Sequence, residues 1–408
     1  MPICFDGKTN TVAVSMVRSL RAVILIVTIF CILPSFSSAW IGGFQKNVLR
    51  HTKRVQQRST SPLLVSSLSE HIVAARNQHR KIDGSFGWSD EKFQSWILEE
   101  LVKEAPALYE DYPDVFAKAS RCITLWRQRF RGNMLLWKRI FKKERVTKEV
   151  IEAVPIVHAV DQWISSHKNV TIIDLCSGKG YLSMLLSEYL PPDRVEKFLL
   201  IDKAWPMCHS TPGPHHMNWD HIYGNTTEIN ETYFTTWPIA LHTSKQDLKQ
   251  RGTFRHLQKR LENTPGPVLV LAVHLCGTLS IQAVQLFHQI PKVKTLVLKP
   301  CCLPGMAYQH QQQNFFINGS RYSFPTRDVC APGKWAGKEW KGPPRWHLED
   351  KFNTWCHHLH EGMKDHDDSN VQSKLLHVKV QNQGGFQNTF LFAEKKPATN
   401  DMWESIDR

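Results

Sequence analysis

The sequence predicts an α/β domain built on a doubly wound, mostly parallel sheet, preceded by a helical region. Three observations predict it. Four central strand candidates between residues 170 and 302 are apolar through their length, as strands covered on both faces must be. Amphipathic helical patterns alternate with those strands. Asp174, Asp202 and Asp247 close the first three strands on their carboxyl side, the edge where open α/β sheets hold ligands.

The chain opens on an address. Residues 1–39 contain Arg18 and Arg21, an apolar run from Val23 to Leu33, and the small residues Ser37 and Ala39, the pattern of a signal peptide whose apolar run is short for a membrane span. Met16 is a plausible start within it. Residues 40–69 carry Lys46, Arg50, Lys53, Arg54 and Arg58 and no acid, a transit-peptide composition. The junction Ser38-Ala39-Trp40 resembles the bipartite presequence of algae with secondary plastids, which implies a plastid destination. The secretory pathway is the alternative; the sequons at Asn169, Asn225, Asn230 and Asn318 would suit it, although Asn169 abuts a predicted core strand. No stable membrane association is expected after processing.

Residues 70–150 read as helical. Phe93, Trp96, Ile97 and Leu101 recur at helical spacing after a start at Ser89. Further on, Trp126, Phe130, Trp137 and Phe141 interleave with Arg127, Arg129, Arg131, Lys138, Arg139, Lys142 and Lys143. This pattern is either a surface that stacks bases and holds phosphates or a helix pair with an aromatic core and solvated cations.

Residues 151–302 and 371–397 form the sheet domain. A helix over 151–167 precedes a strand at 170–174, and a helix over 181–190 follows. Strands at 197–203 and 237–247, a helix over 248–263, a strand at 267–277, a helix over 279–290 and a strand at 293–302 continue the alternation. Residues 303–370, rich in Pro, Gly, Trp and His, interrupt it and read as an insertion serving as a substrate loop, with a short helix near 351–362. It carries a second basic and aromatic group, Lys334, Trp335, Lys338, Trp340, Lys341, Arg345 and Trp346. Two closing strands, 374–381 and 388–395, are joined through Gly384-Gly385 as a hairpin.

The turn "DLCSGKGYLS" at 174–183 selects the ligand. A P-loop needs Lys then Ser or Thr after its last glycine, which is missing; a dinucleotide fingerprint needs a third glycine, and Ser183 stands there. S-adenosylmethionine fits. Asp174 would face its ammonium, with Cys176 beside it; Gly178 and Gly180 let the backbone pass beneath it; Asp202 would accept from the ribose hydroxyls and Asp247 from the adenine amino group. The antiparallel closing hairpin completes the Rossmann-like sheet of class I methyltransferases, and is foreign to the dinucleotide fold.

With "VHLCGTLS" and "LKPCCLPG", this turn resembles a eukaryotic group of methyltransferase-domain proteins. It is more remotely similar to the 2′-O-methyltransferases of the tRNA acceptor stem, and "FKKERVTKEV" looks like that group's Lys-rich entry helix. The tRNA enzymes carry N-terminal zinc modules, whereas no Cys/His cluster precedes residue 170 here, so their exact substrate does not transfer.

The catalytic candidates stand at the ends of the fourth and fifth strands: His274 and Cys276 on one, Lys299, Cys301 and Cys302 on the other. His274 is a candidate general base for a hydroxyl acceptor, or a structural histidine. Cys301 or Cys302 is a candidate nucleophile for a cytosine C5 acceptor, although the acid such enzymes need after strand four is absent. A metal site from Cys276, Cys301, Cys302 and His274 is conceivable, but with no CxxC pair no metal is expected. The commonest role for such cysteines is apolar filler. The ten cysteines have no regular spacing, and the protein reads as reduced.

The net charge is +14, of which +7 falls after residue 69, and suits a polyanionic partner. The composite expectation is a plastid S-adenosylmethionine-dependent methyltransferase acting on RNA, either tRNA or rRNA. The alternatives are a small-molecule methyltransferase and a non-catalytic RNA-binding protein on the same scaffold.

Overall fold

A computed structural model of the chain describes residues 87–207, 215–224, 237–317, 319, 321–336, 339–364, 371–378, 388–395 and 401–406. The leader expectations for residues 1–39 and 40–69 lie outside the described residues, as do the sequons at Asn225, Asn230 and Asn318. Among the described residues, no helix is long and apolar enough to cross a membrane.

Among the described residues, five helices precede the sheet: α1 Asp90–Glu104, α2 Pro106–Asp111, α3 Pro113–Arg129, α4 Met134–Ile140 and α5 Lys143–Ser165. Ser89 caps α1, its hydroxyl accepting from the Lys92 amide at 3.2 Å. Phe93, Ile97 and Leu101, one helical turn apart, are buried. The aromatic series is core, not a stacking surface: Trp126, Phe130 and Trp137 are buried, and Phe141 stacks on Trp137 at 4.6 Å between centroids. The interleaved cations are largely tied to carboxylates. Arg127 donates to Asp90 at 2.7 Å, Arg129 to Glu188 at 2.5 Å, Arg131 to Asp90 at 2.9 Å and Lys143 to Glu100 at 2.6 Å. Burial of wide apolar rings outweighed exposing them, and the guanidinium of the buried Arg127 follows because it finds acceptors there.

Next come β1 Val170–Leu175, α6 Tyr181–Tyr189, β2 Val195–Asp202, α7 Asp220–Tyr223, β3 Ala240–Lys245, α8 Arg251–Glu262, β4 Val268–Cys276, α9 Leu279–Gln289 and β5 Val293–Cys302. The seven-stranded sheet runs β3-β2-β1-β4-β5-β11-β10, where β10 is Val371–His377 and β11 is Thr389–Lys395. The first five are parallel, β11 is antiparallel to β5, and β10 is antiparallel to β11. This is the Rossmann-like methyltransferase sheet that the closing hairpin predicts. Strand order reverses between β1 and β4, which opens a crevice at their carboxyl ends.

Two boundaries differ from expectation. The division at residue 150 falls inside α5, a helix of 23 residues whose apolar face, from Val146 to Ile164, is continuous. The described residues between 303 and 364 are not a bare loop. They form α10 Met306–Gln311, the hairpin β6 Asn314–Ile317 and β7 Tyr322–Pro325, α11 Thr326–Val329, the hairpin β8 Lys334–Ala336 and β9 Glu339–Lys341, and α12 Glu349–Met363. Helix α12 buries Phe352, Trp355, Cys356, Leu359 and Met363 in the same core as β4, β5 and α9. It is the crossover between β5 and β10, so the chain leaves the sheet at Cys302 and returns to it through packed structure. The 8–9 hairpin pairs Trp335 with Trp340 and Lys334 with Lys341 in register.

Helix α5 is fastened to the far half of the sheet by one buried carboxylate. Glu394 on β11 accepts from the Trp163 indole of α5 at 2.7 Å and from the Trp403 indole of α13, Asp401–Ile406, at 2.8 Å. Glu394→Ala should therefore leave two buried N–H groups unpaired, at about 1–3 kcal/mol each. A chemical denaturation midpoint equal to that of the wild type would show the bridge to be dispensable.

Candidate active site

Of the residues that sequence places at the strand ends and the turn, Asp174, Cys176, Gly178 and His274 converge on one pocket. A pocket at the carboxyl edge of β1 and β4 is lined by Asp174, Cys176, Ser177, Gly178 and Lys179 on the sheet side, and by Arg145, Glu149 and Glu152 of α5, with His274 at its rim. Asp202 and Asp247 stand on the same edge, at and just beyond the ends of β2 and β3, outside that lining.

The glycine turn is shaped by backbone conformation. Cys176, Gly178 and Gly180 all have positive φ, at 55°, 54° and 78°. A Cβ on Gly180 would sit 2.6 Å from Leu200 Cδ2, whereas one on Gly178 would meet nothing within 4 Å. Gly180 is thus needed for packing beneath the turn, and Gly178 leaves open space above it, as a bound group passing close to the backbone requires. The turn is braced from three directions. Asp202 accepts from the Gly178 amide at 3.1 Å, the Trp205 indole donates to Ser177 Oγ at 3.1 Å, and His221 Nε2 meets the Lys179 carbonyl at 2.7 Å. Burial holds the His221 imidazole down at about 4, so it is neutral and donates that bond. Trp205 and His221 escaped sequence reading because neither lies in a periodic element or a motif.

Asp174 is buried and accepts from Ser183 Oγ at 2.7 Å. Burial pushes its carboxyl up to about 7 against that bond, with Asp202 adding to the rise. A buried carboxyl at this value has an unmet need for a cation, and the ammonium of S-adenosylmethionine would meet it. Burial and the neighbouring Asp202 push the Cys176 thiol up to about 12, so it is an uncharged part of the lining. Asp247 takes the role of a turn residue: its Oδ1 accepts from the Lys249 amide at 3.0 Å, and Thr253 donates to its carbonyl at 2.7 Å. Its position beyond β3 still leaves it on the edge where an adenine amino group would lie. The donor set therefore fits the cofactor: one buried acid, an open glycine turn and a second acid on the adjacent strand.

Beside this lies an ionic cluster that the sequence did not reveal. His274 is a bulge residue: the β4–β5 register skips it between Val273 and Leu275, and its φ is 60°. A bulge turns its side chain out of the ladder, and Nε2 comes to 2.8 Å from Oε2 of Glu152. Lys299 Nζ lies 3.2 Å from the same oxygen. Neither approach is aligned as a hydrogen bond, so the attraction is ionic. Glu152 and Lys299 are both almost fully buried. Burial alone would raise the Glu152 carboxyl, but His274, Lys299 and Lys148 hold it at about 2. Burial draws the Lys299 ammonium down, opposed by Glu152.

Cys276, Cys301 and Cys302 form a separate group next to His274, with Sγ atoms 3.3, 3.6 and 3.7 Å apart. They are thiols, not a disulfide. The close approach of Cys301 and Cys302 holds the Cys276 thiol well below the usual range, and the same contacts push the Cys301 thiol well above it. The pocket lining includes His274 but none of these three sulfurs.

Residues 145–309 match a family model described as a methyltransferase domain. No curated protein matches the chain. Among solved structures, the small RNA methyltransferase HEN1 is similar at 10% identity and a TM-score of 0.29, over 60% of this chain and 25% of that one. The plantazolicin methyltransferase BpumL in complex with SAH is similar at 10% identity and a TM-score of 0.29, over 75% of this chain and all of that one. An O-methyltransferase family protein from Burkholderia thailandensis is similar at 11% identity and a TM-score of 0.25, over 69% of this chain and 73% of that one.

The Asp174 carboxyl generates a pH prediction for cofactor binding. With its value near 7 in the free protein, it must lose a proton to receive an ammonium. Affinity for S-adenosylmethionine should fall as pH drops below about 7, by up to about tenfold per unit. It should also fall at higher pH as the ligand's amino group, near 8 in model compounds, deprotonates. Calorimetry on Asp174→Asn should show the acid limb lost; an unchanged limb would remove Asp174 from this role.

Proposed function

We propose that this S-adenosylmethionine-dependent methyltransferase acts on RNA at a hydroxyl group, with His274 as general base. The observation that carries the reading is the 2.8 Å approach of His274 Nε2 to Glu152 at the rim of the cofactor pocket. Glu152 occupies the Nε2 side of the ring, which leaves Nδ1 as the nitrogen that can take a proton from the acceptor. The side chain is 41% exposed, enough to meet an acceptor from solution. S-adenosylmethionine supplies the electrophilic methyl group. The chain supplies the rest: His274 takes the hydroxyl proton, and Glu152, a positioning residue, fixes the ring and offsets the positive charge that forms on it. A neutral hydroxyl needs such a base, since it is a weak nucleophile at neutral pH.

An RNA substrate is supported by charge at the pocket mouth. Arg139, Lys142 and Arg145 lie near enough to Lys179 to press its ammonium down, second only to its burial. Arg145 and Lys179 line the pocket, and this group of neighbouring cations suits a phosphate backbone. Within an RNA chain the available hydroxyl is the ribose 2′-OH, in keeping with the motif resemblance to 2′-O-methyltransferases. A small-molecule acceptor would not need these cations. The leader composition supports a plastid location, which a fluorescent fusion of residues 1–75 in a secondary-plastid alga would test; delivery to the medium would favour secretion.

Assay of His274→Ala on plastid RNA with labelled cofactor should show turnover lowered by roughly 10²–10⁴ with cofactor affinity nearly intact. Activity should also decline steeply with added salt. Full activity in His274→Ala would overturn the base assignment. Covalent trapping on RNA containing 5-fluorocytosine would transfer the chemistry to a cysteine, and methylation confined to small molecules would overturn the RNA assignment.

A further inference from the structure

The three clustered thiols are the strongest feature that the proposed reaction leaves unused. Cys276 ends β4 and pairs in register with Cys302 at the end of β5. Cys301 precedes Cys302 in the same strand, and consecutive strand residues ordinarily point to opposite faces. Here the register shifts at His274 and at Leu275/Cys276 bend the strand ends, so that Cys301 Sγ and Cys302 Sγ both come within 3.7 Å of Cys276 Sγ. These are not core thiols of the ordinary kind. Cys122, Cys330 and Cys356 are buried, whereas Cys276 is exposed and Cys301 and Cys302 are half-buried.

The spacing matches a metal site. With zinc–sulfur bonds of about 2.3 Å, the edge of a tetrahedral thiolate site is about 3.8 Å. The observed sides of 3.3, 3.6 and 3.7 Å are slightly shorter, and a point about 2.3 Å from all three sulfurs lies about 1 Å out of their plane. An ion there would have three protein ligands. His274 is held by Glu152 and does not complete the set, so the fourth position would belong to water or a substrate atom, the arrangement of catalytic rather than structural zinc.

We propose that Cys276, Cys301 and Cys302 bind one zinc ion with an open fourth position, beside the cofactor pocket. This reverses the expectation of no metal, which rested on the absence of CxxC spacing; the ligands instead come from two adjacent strand ends. Soft thiolates select zinc over magnesium or calcium. Each thiol that binds gives up its proton, so loading releases protons to solvent. The ion would tie the end of β4, two residues beyond His274, to the end of β5, and the site does not depend on what the enzyme methylates.

The test is metal binding by the full chain, purified reduced. Expected are one zinc per chain by elemental analysis and, on cobalt substitution, an intense thiolate-to-cobalt charge-transfer band with a tetrahedral visible spectrum. Cys276→Ser, Cys301→Ser and Cys302→Ser should each weaken zinc binding at least about tenfold in chelator competition, while Cys122→Ser in α3 leaves it unchanged. Far-ultraviolet circular dichroism checks folding, and the exposed Cys276 makes its variant the safest. If the others fail to fold, the wild-type cobalt spectrum and Cys276→Ser decide. No stoichiometric zinc in the reduced chain, a cobalt spectrum without sulfur charge transfer, or zinc retained by Cys276→Ser would overturn the site. So would a two-dalton mass loss on mild oxidation together with no zinc uptake by the reduced form.

Discussion

One carboxylate holds the catalytic edge together. Glu152 on α5 faces His274 from β4 and Lys299 from β5, and both nitrogens approach a single oxygen. Three elements remote in sequence are thereby set against one another in a region with little water. Such an arrangement is costly to assemble, since each ion gives up its hydration, and more costly to leave incomplete. Its value lies in position: it fixes the ring of a residue that a backbone bulge has already turned out of the sheet. Lys299 also lies beneath the ring of Phe390 on β11, with Nζ 5.4 Å from the ring centroid, so the cluster is roofed by the closing hairpin.

Around that anchor the site mixes both signs of charge. Asp174, Glu149 and Glu152 line the pocket together with Arg145 and Lys179, and Asp202 braces the glycine turn just outside it. An ammonium would find carboxylates, and an anionic group cations, within one opening. Lys179 is partly buried and faces the like charges of Arg145, Arg139 and Lys142, a concentration of positive potential that favours an anion there.

Much of this was legible from sequence, and the exceptions have physical reasons. Buried parallel strands announce themselves by unbroken apolar runs, so β1, β4 and β5 were placed closely. Edge strands do not: β3 is only half-buried, and its start fell three residues later than Trp237 because Pro238 cannot contribute a ladder donor. Asp174 and the two glycines were readable because a strand end and a tight turn leave few alternatives. Glu152 was not readable. It sits in an apolar helix, and its partners are 122 and 147 positions away, so nothing local marks it as more than a solvated acid. The aromatic stripe of α3 and α4 looked the same whether it faced solvent or core; only packing distinguished the two. The cysteines were visible as candidates, but their sulfur spacing depends on strand-end irregularities that composition does not encode.

The order of the sheet has a consequence for synthesis. Strand β11 sits between β5 and β10, yet it follows both in the chain. On a ribosome releasing the chain from its amino end, β5 emerges with one side already paired to β4 and the other side bare, and nothing made before residue 389 can cover it in the native way. An uncovered apolar edge recruits other strands. Segments made in the interval, the 303–364 region and α12 above all, are available to pack nearby and delay such encounters. The same order means that a ribosome stalled shortly before Thr389 holds only the five parallel strands, since β10 pairs with β11 alone, a species poised to pair with another chain rather than to work.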